Sequence, residues 1–375
     1  VTHLLVRSLT CLLFVSSYAF AEETPAPSAA APAAPAPKEP NWSERVKFEG
    51  VVDTYFSYQP GAPLEGVNPY RIFDVKNGSF SLAYVELAAG MAPEPAGFRI
   101  DLGFGPVADQ VMGVGVPDIS GGAPASALNE AFKHVQQAYV SIKVPGTQNL
   151  ILDAGKFATT AGAEVIEARN NWLYSRSILF GYAIPFTHTG LRLTATPVDG
   201  LTLQASVLNG WESNWDPNRA KTVGLAASYA LPSGTTVALN LYGGPEAATS
   251  PDWRLLADLV LSQNFGDKFA LNLNVDYASE GATRWYGAAL MGKLTISDAV
   301  YVAARAEYFS DPDGARTGVK DQSLLEGTLQ IGFPVGKNAE LRLEGREDVA
   351  SKPGLGLKGD QTAQTTLTFA ALAWF

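Results

Sequence analysis

The feature that most restricts this chain is a two-residue hydrophobic period that recurs in segment after segment between residues 45 and 375. A period of two is the mark of strands with two unlike faces. In the clearest segment Phe269, Leu271, Leu273, Val275 and Tyr277 point one way, while Ala270, Asn272, Asn274 and Asp276 point the other. Leu341 and Leu343 alternate with Glu340, Arg342, Glu344 and Arg346, and Phe98, Ile100, Leu102 and Phe104 alternate with Arg99, Asp101 and Gly103. About sixteen such segments can be counted, most of them about nine residues or longer, which is enough to cross a bilayer at a tilt. Strands of soluble domains average nearer five or six residues.

The connections alternate in length. Residues 92–96, 145–148, 197–200, 232–234, 265–267, 297–298 and 334–338 are tight and carry the Pro, Gly, Asp and Asn of reverse turns. Residues 58–78, 106–134, 158–186, 212–220, 311–322 and 350–362 are longer. Short turns on one rim and long loops on the other describe an all-β transmembrane antiparallel barrel, with turns in the periplasm and loops outside the cell. Lipid solvates the apolar face but cannot satisfy a backbone edge, so the sheet must close. Aromatic girdles are expected at both interfaces: Tyr55, Phe56, Phe104, Trp211, Trp253, Tyr277, Trp285, Tyr308 and Phe309 toward the long loops, and Phe48, Phe98, Phe265, Phe269, Phe333 and Trp374 toward the short turns. Leu367, Phe369, Ala371, Ala373 and Phe375 form an outward stripe, and an aromatic at its end resembles the signal read by the barrel-assembly machinery, so Phe375 is the expected assembly signal.

The start of the chain fits export. Arg7 precedes a short apolar core and Ala19-Phe20-Ala21, a pattern that predicts a signal peptide over 1–21. Residues 22–44 are rich in Ala and Pro and read as an extended periplasmic linker, leaving 45–375 for the barrel. The one cysteine, Cys11, falls within the signal, so neither disulfides nor thiolate metal sites are expected. A net charge of −10 argues against a nucleic-acid surface.

The first strand, EGVVDTYFSYQ, and the segment DAGKFATTAGAEVIEARNNWLYSRSILFGYAIPFTHTGLRL, residues 153–193, resemble the β-barrel porins of the OmpL-like type. Glu164, Asn170, Ser175, Arg176, Pro185 and Gly190 lie in that resemblance. It implies an outer-membrane channel and leaves the substrate open.

If the period-two pattern sets the faces, the lumen is lined by Asp53, Glu86, Arg99, Asp101, Asp153, Arg192, Asp276, Arg305, Glu307, Arg342, Glu344 and Arg346, among others, with carboxylates in modest excess. Such a lining suits passive diffusion of small hydrophilic solutes with a weak preference for cations. Residues 158–186 are too long for a plain hairpin loop. They are expected to fold inward and narrow the channel, with Glu164, Glu167, Arg169 and Arg176 at the constriction. Expected partners are outer-membrane lipid and lipopolysaccharide, with a homotrimer as the candidate assembly.

Enzyme signals are weak. No G-x-S-x-G or P-loop occurs, and Gly354, Gly356 and Gly359 match a dinucleotide pattern without the helix that should follow. His134 and His188 lack metal-ligand spacing, so no metal, cofactor or catalytic site is expected. The alternatives are a substrate-selective channel, a barrel-type hydrolase built on those two histidines, or a secreted β-rich adhesin.

Overall fold

Alternation leaves each strand with one apolar and one polar face, and a computed structural model shows how those faces are disposed. It describes residues 41–60, 66–112, 133–147, 149–216 and 218–375. The first half of the barrel is β1 (Lys47–Tyr58), β2 (Phe80–Met91), β3 (Ala96–Phe104), β4 (Val135–Lys143), β5 (Leu150–Ala158), β6 (Thr187–Val198), β7 (Leu201–Leu208) and β8 (Thr222–Ala230). The second half is β9 (Thr235–Pro245), β10 (Trp253–Phe265), β11 (Phe269–Glu280), β12 (Thr283–Ser297), β13 (Val300–Asp311), β14 (Gln322–Val335), β15 (Ala339–Ala350) and β16 (Ala363–Trp374). Each strand pairs antiparallel with its neighbours in sequence, and β1 closes the barrel on β16 with Val51 opposite Trp374. Among the described residues no barrel strand has an unpaired edge, as a hydrocarbon surround demands. Among the described residues no helix is long and apolar enough to cross a membrane, so strands make the crossing.

The charged residues of one strand face are buried on the inner side along most of the wall, whereas Lys47 at the start of β1 is exposed. Asp53, Glu86, Asp101, Asp153, Asp276, Arg305, Glu307, Arg342, Glu344 and Arg346 are buried, and Leu82, Leu191, Leu225, Leu290, Leu329 and Leu343 are exposed on the outer face. Four register shifts interrupt this regularity, and two of them bear on the lumen. Asp53 pairs with Tyr84 but Thr54 with Leu82, leaving Ala83 as the extra residue; Asp101 pairs with Gln137 but Leu102 with Val135, leaving Gln136 as the extra one. A bulge re-aims the side chains beside it. Tyr84 and Gln136 both turn into the barrel, where the Tyr84 hydroxyl donates to the Gln136 amide oxygen.

The aromatic girdles are thinner than expected. Phe48, Phe265, Phe269, Phe333, Trp253, Tyr277 and Tyr308 face outward, but Tyr55, Trp211, Trp285 and Phe309 are buried inside. Strand parity explains three of them: Tyr55 shares a face with Asp53, Trp285 with Ala289, and Phe309 with Glu307. The long-loop rim also has one tight exception, the two-residue connection 281–282 between β11 and β12. Residues 1–21 and most of 22–44 lie outside the described residues. At the end of the proposed linker Trp42–Arg45 forms a single exposed helical turn.

Candidate functional site

Residues 159–186, between β5 and β6, run into the barrel and line its interior. The two ends of the segment are tied together by Thr159, whose amide donates to Phe186 O at 3.0 Å. Inside this closure the segment bonds to itself. The Asn171 side chain takes the Val165 amide at 3.0 Å and gives to Val165 O at 2.8 Å. Arg176 donates to the carbonyls of Val165 at 2.9 Å, Ile166 at 2.5 Å and Tyr174. Ser177 caps a five-residue helix, Ile178–Tyr182, by accepting from the Phe180 amide at 3.0 Å. Gly162 makes the entry turn at φ +88°, and a Cβ there would lie 2.5 Å from Ile184 Cδ1.

The barrel wall then holds the segment through charges the sequence assigns to the lumen. Glu307 accepts the amides of Ile178 and Leu179 at 2.8 and 2.5 Å. Glu344 accepts those of Tyr174 and Ser175 at 2.9 and 3.1 Å. Arg342 donates to the carbonyls of Ala168 and Leu173, and Arg346 to that of Arg176. Arg305 bridges Glu164 at 2.9 Å and Glu326 at 2.8 Å, and the Tyr174 hydroxyl donates to Asp53 at 2.9 Å. A buried hydrogen bond to a charged group contributes about 1.5–3 kcal/mol, so this half of the wall, β13 to β16 with β1, works as a clamp. Apolar packing completes it. Phe180 and Phe186 meet Phe73 from the β1–β2 connection, and the Trp285 indole donates to Ala183 O at 3.1 Å.

The opposite half of the wall stays open. A cavity of about 280 Å³ lies between the segment and β1 to β6, lined by Glu49, Glu86, Arg99, Asp101, Gln137, Tyr139 and Arg192 on the wall and by Thr160, Glu164, Glu167 and Arg169 on the segment. It shares Thr159, Thr160, Glu164, Val165 and Asn170 with a smaller cavity of about 60 Å³ against β7 to β9, where the wall offers only small or neutral side chains such as Thr202, Gln204, Ala226, Ser228 and Asn240.

Of the four residues expected at a constriction, Glu164, Glu167 and Arg169 reach this space. Arg176 does not, because its guanidinium is spent on three carbonyls within the segment. Burial pulls it below its usual value, opposed by Glu164 and Asp53. The lumen set divides likewise. Glu86, Arg99, Asp101 and Arg192 line the open side, with Asp153 bonded to Arg192 at 2.8 Å. Arg305, Glu307, Arg342, Glu344 and Arg346 lie beneath the segment, and Asp53 meets it through Tyr174. Asp276 stands opposite Asp258 across the β10–β11 pair. Sequence reasoning missed Arg71, Asp74 and Asp348, a buried cluster that draws the β1–β2 connection inward: Arg71 lies 3.0 Å from Asp74 and 3.1 Å from Asp348. Asp348 shares the parity of Arg346, and that was the available signal.

The two histidines are separately engaged. His134 Nδ1 lies 2.9 Å from Gly103 O and its ring stacks on Phe104, whereas His188 stacks on Tyr242 and bonds Thr159. Among the described residues no group of three or more His, Cys, Asp or Glu side chains is arranged to hold a metal.

A closed sixteen-strand barrel with an inward segment after its fifth strand invites comparison with known channels. Residues 45–375 match the family described as "Putative beta-barrel porin-2, OmpL-like". The chain belongs to that family. A search of the curated proteins found no match. Among solved structures this porin is similar to an anion-selective porin from Comamonas acidovorans, at a TM-score of 0.58 and 12% identity over 88% of this chain and 99% of that one. It is similar too to the outer-membrane channel DcaP of Acinetobacter baumannii, at 0.59 and 10% over 88% and 97%. OmpT of Vibrio cholerae, in a trimer form, aligns at 0.56 and 11% over 88% and 99%. Identities this low carry the fold alone. Family and fold together place this porin in the bacterial outer membrane as a channel.

Proposed function

We propose that this porin passes small hydrophilic solutes by passive diffusion, with a weak preference for cations. The observation that carries the reading is the division of the lumen. One half of the wall is consumed in clamping residues 159–186, and the passage left on the other side is lined by Glu49, Glu86, Asp101, Glu164 and Glu167 against Arg99, Arg169 and Arg192. Carboxylates outnumber guanidiniums in that lining, and a fixed negative excess concentrates cations. Salt screens charge over about 8 Å at physiological ionic strength, so the bias is mild and fades as salt rises. Reversal potentials across a planar bilayer in a salt gradient test this, and strong anion selectivity would refute it.

The remaining assignments belong to the same reading. Residues 1–21 act as the signal peptide, 22–44 as a periplasmic linker, and Phe375 as the assembly signal. Phe375 carries an exposed ring on the outer face beside Gly50, with which it exchanges backbone hydrogen bonds. The assembly is a homotrimer set in lipopolysaccharide, and no catalytic step is needed.

A further inference from the structure

The charges around the larger cavity do not balance, and they fail to balance at one identifiable side chain. Glu49 is held between Arg99 and Arg169, each at 3.1 Å, and Arg99 also pairs with Asp101. Those contacts turn both guanidiniums toward Glu49, although the Arg169 Nε has no hydrogen-bond partner among the described residues. Glu86 and Glu167 share the cavity without an arginine of their own. Glu167 receives a neutral donor, the Gln136 amide at 2.5 Å, supplied by the bulge in β4. Glu86 is only 2% exposed, and its Oε2 has no hydrogen-bond partner among the described residues. Removing a carboxylate from water without a partner is costly, and a donor brought to its free oxygen offsets that cost.

Beside these charged groups and the amides of Gln136, Gln137 and Asn170, part of the lining is apolar and aromatic. Tyr139, Ile166, Phe180 and Phe186 line it together with the acidic group, and Phe180 and Phe186 lie ring to ring at 5.1 Å. An apolar wall beside an uncompensated carboxylate suits a ligand with a cationic head and a hydrophobic body. A bare metal ion would leave the aromatic wall unused, and a hydrated one does not match it.

We propose that this cavity is a binding site for a small primary amine with an apolar body, its ammonium seated between Glu86 and Glu167 and its body against Tyr139, Phe180 and Phe186. The inference rests on the channel reading and adds a solute class to it: the passage holds organic ammonium ions in transit. Charge-assisted hydrogen bonds from the ammonium to two carboxylates supply the attraction, and the rings supply cation–π and hydrophobic contact.

The test is calorimetry on the full chain folded in detergent, in mildly alkaline buffer, with phenethylammonium as the probe. Phenylacetate, 2-phenylethanol and calcium chloride are run beside it. The expected result is saturable binding of the ammonium alone, weakened about tenfold or more by Glu86→Gln, since one charged partner is lost. Glu167→Gln lies on the inward segment rather than in a strand, so it reads the same site should the Glu86 variant fail to fold. Equal binding of phenylacetate or phenylethanol would overturn the proposal, as would equal binding of calcium or affinities unchanged by both substitutions. Conductance is measured separately on the same protein. Ion conduction without amine binding defeats this inference and leaves the channel intact, whereas amine binding without conduction defeats the channel reading instead.

Discussion

Releasing the inward segment should widen the channel, and the structure gives the size of the perturbation. Glu307 accepts from the amides of Ile178 and Leu179, and Glu344 from those of Tyr174 and Ser175. In a Glu307→Ala, Glu344→Ala double variant three buried N–H groups, those of Ser175, Ile178 and Leu179, lose their acceptors, while the Tyr174 amide keeps Gln330 Oε1 at 2.7 Å. A buried donor left unsatisfied costs about 1–3 kcal/mol, so the clamp is weakened by roughly 3–9 kcal/mol. Lumen water can take over some of these donors, which favours the lower end of that range. Shifting a two-state equilibrium from about 1:99 to 99:1 takes about 5.5 kcal/mol, so the double variant should hold the segment in its clamped position only part of the time. Single-channel conductance should rise and become noisier, and larger neutral polymers should enter the pore. The barrel itself should persist, because closure rests on the strand ladders, and resistance to unfolding in cold SDS verifies that. A folded barrel with unchanged conductance and polymer cut-off would refute the reasoning, since the segment would then be held by other contacts or would not narrow the passage.

Further predictions concern the same region. Arg169→Gln should increase cation preference in a salt gradient because it removes a guanidinium from the open lining, whereas Arg342→Gln should change selectivity less, since Arg342 lies under the segment beside Glu340; an equal response would refute the two-sided lumen. Arg176→Ala removes a donor from three carbonyls, of which Val165 O keeps the Asn171 amide, and should expose residues 159–186 to limited proteolysis from outside, with selectivity moved only as a consequence; a protease-resistant variant would show that the arginine is dispensable. Gly162→Ala places a methyl 2.5 Å from Ile184 Cδ1 in a backbone conformation that disfavours it, so it should disturb conductance more than Gly336→Ala, where nothing lies within 4 Å; equal behaviour would remove the steric argument.

Much of this architecture was legible in the sequence because a barrel wall is a local code. Side-chain direction in a strand alternates with every residue, so the inward position of Asp53, Glu86, Arg305 or Arg346 and the outward position of Leu329 or Leu343 follow from parity alone. Strand length and the alternation of turns with loops fixed the crossing and its orientation for the same reason. What parity could not show was which inward side of the barrel remains open. That was decided by residues 159–186 choosing β13 to β16 and β1 as their bed. The choice rests on contacts between groups more than a hundred residues apart, such as Arg305 with Glu164 and Glu344 with Tyr174. No periodicity encodes such pairs, so Arg342 and Arg346 look in the sequence like pore charges and prove to be clamps, and Arg176 looks like a constriction residue and proves to be a brace. The bulges at Ala83 and Gln136 are tertiary in the same sense. Each adds one residue to a ladder whose register only the neighbouring strand reveals, and together they turn Tyr84 and Gln136 inward beside Glu167, in the cavity where Glu86 Oε2 has no hydrogen-bond partner among the described residues. The sequence determined the wall, because strand geometry is local; the tertiary structure determined the passage, because a passage is whatever space distant segments leave between them.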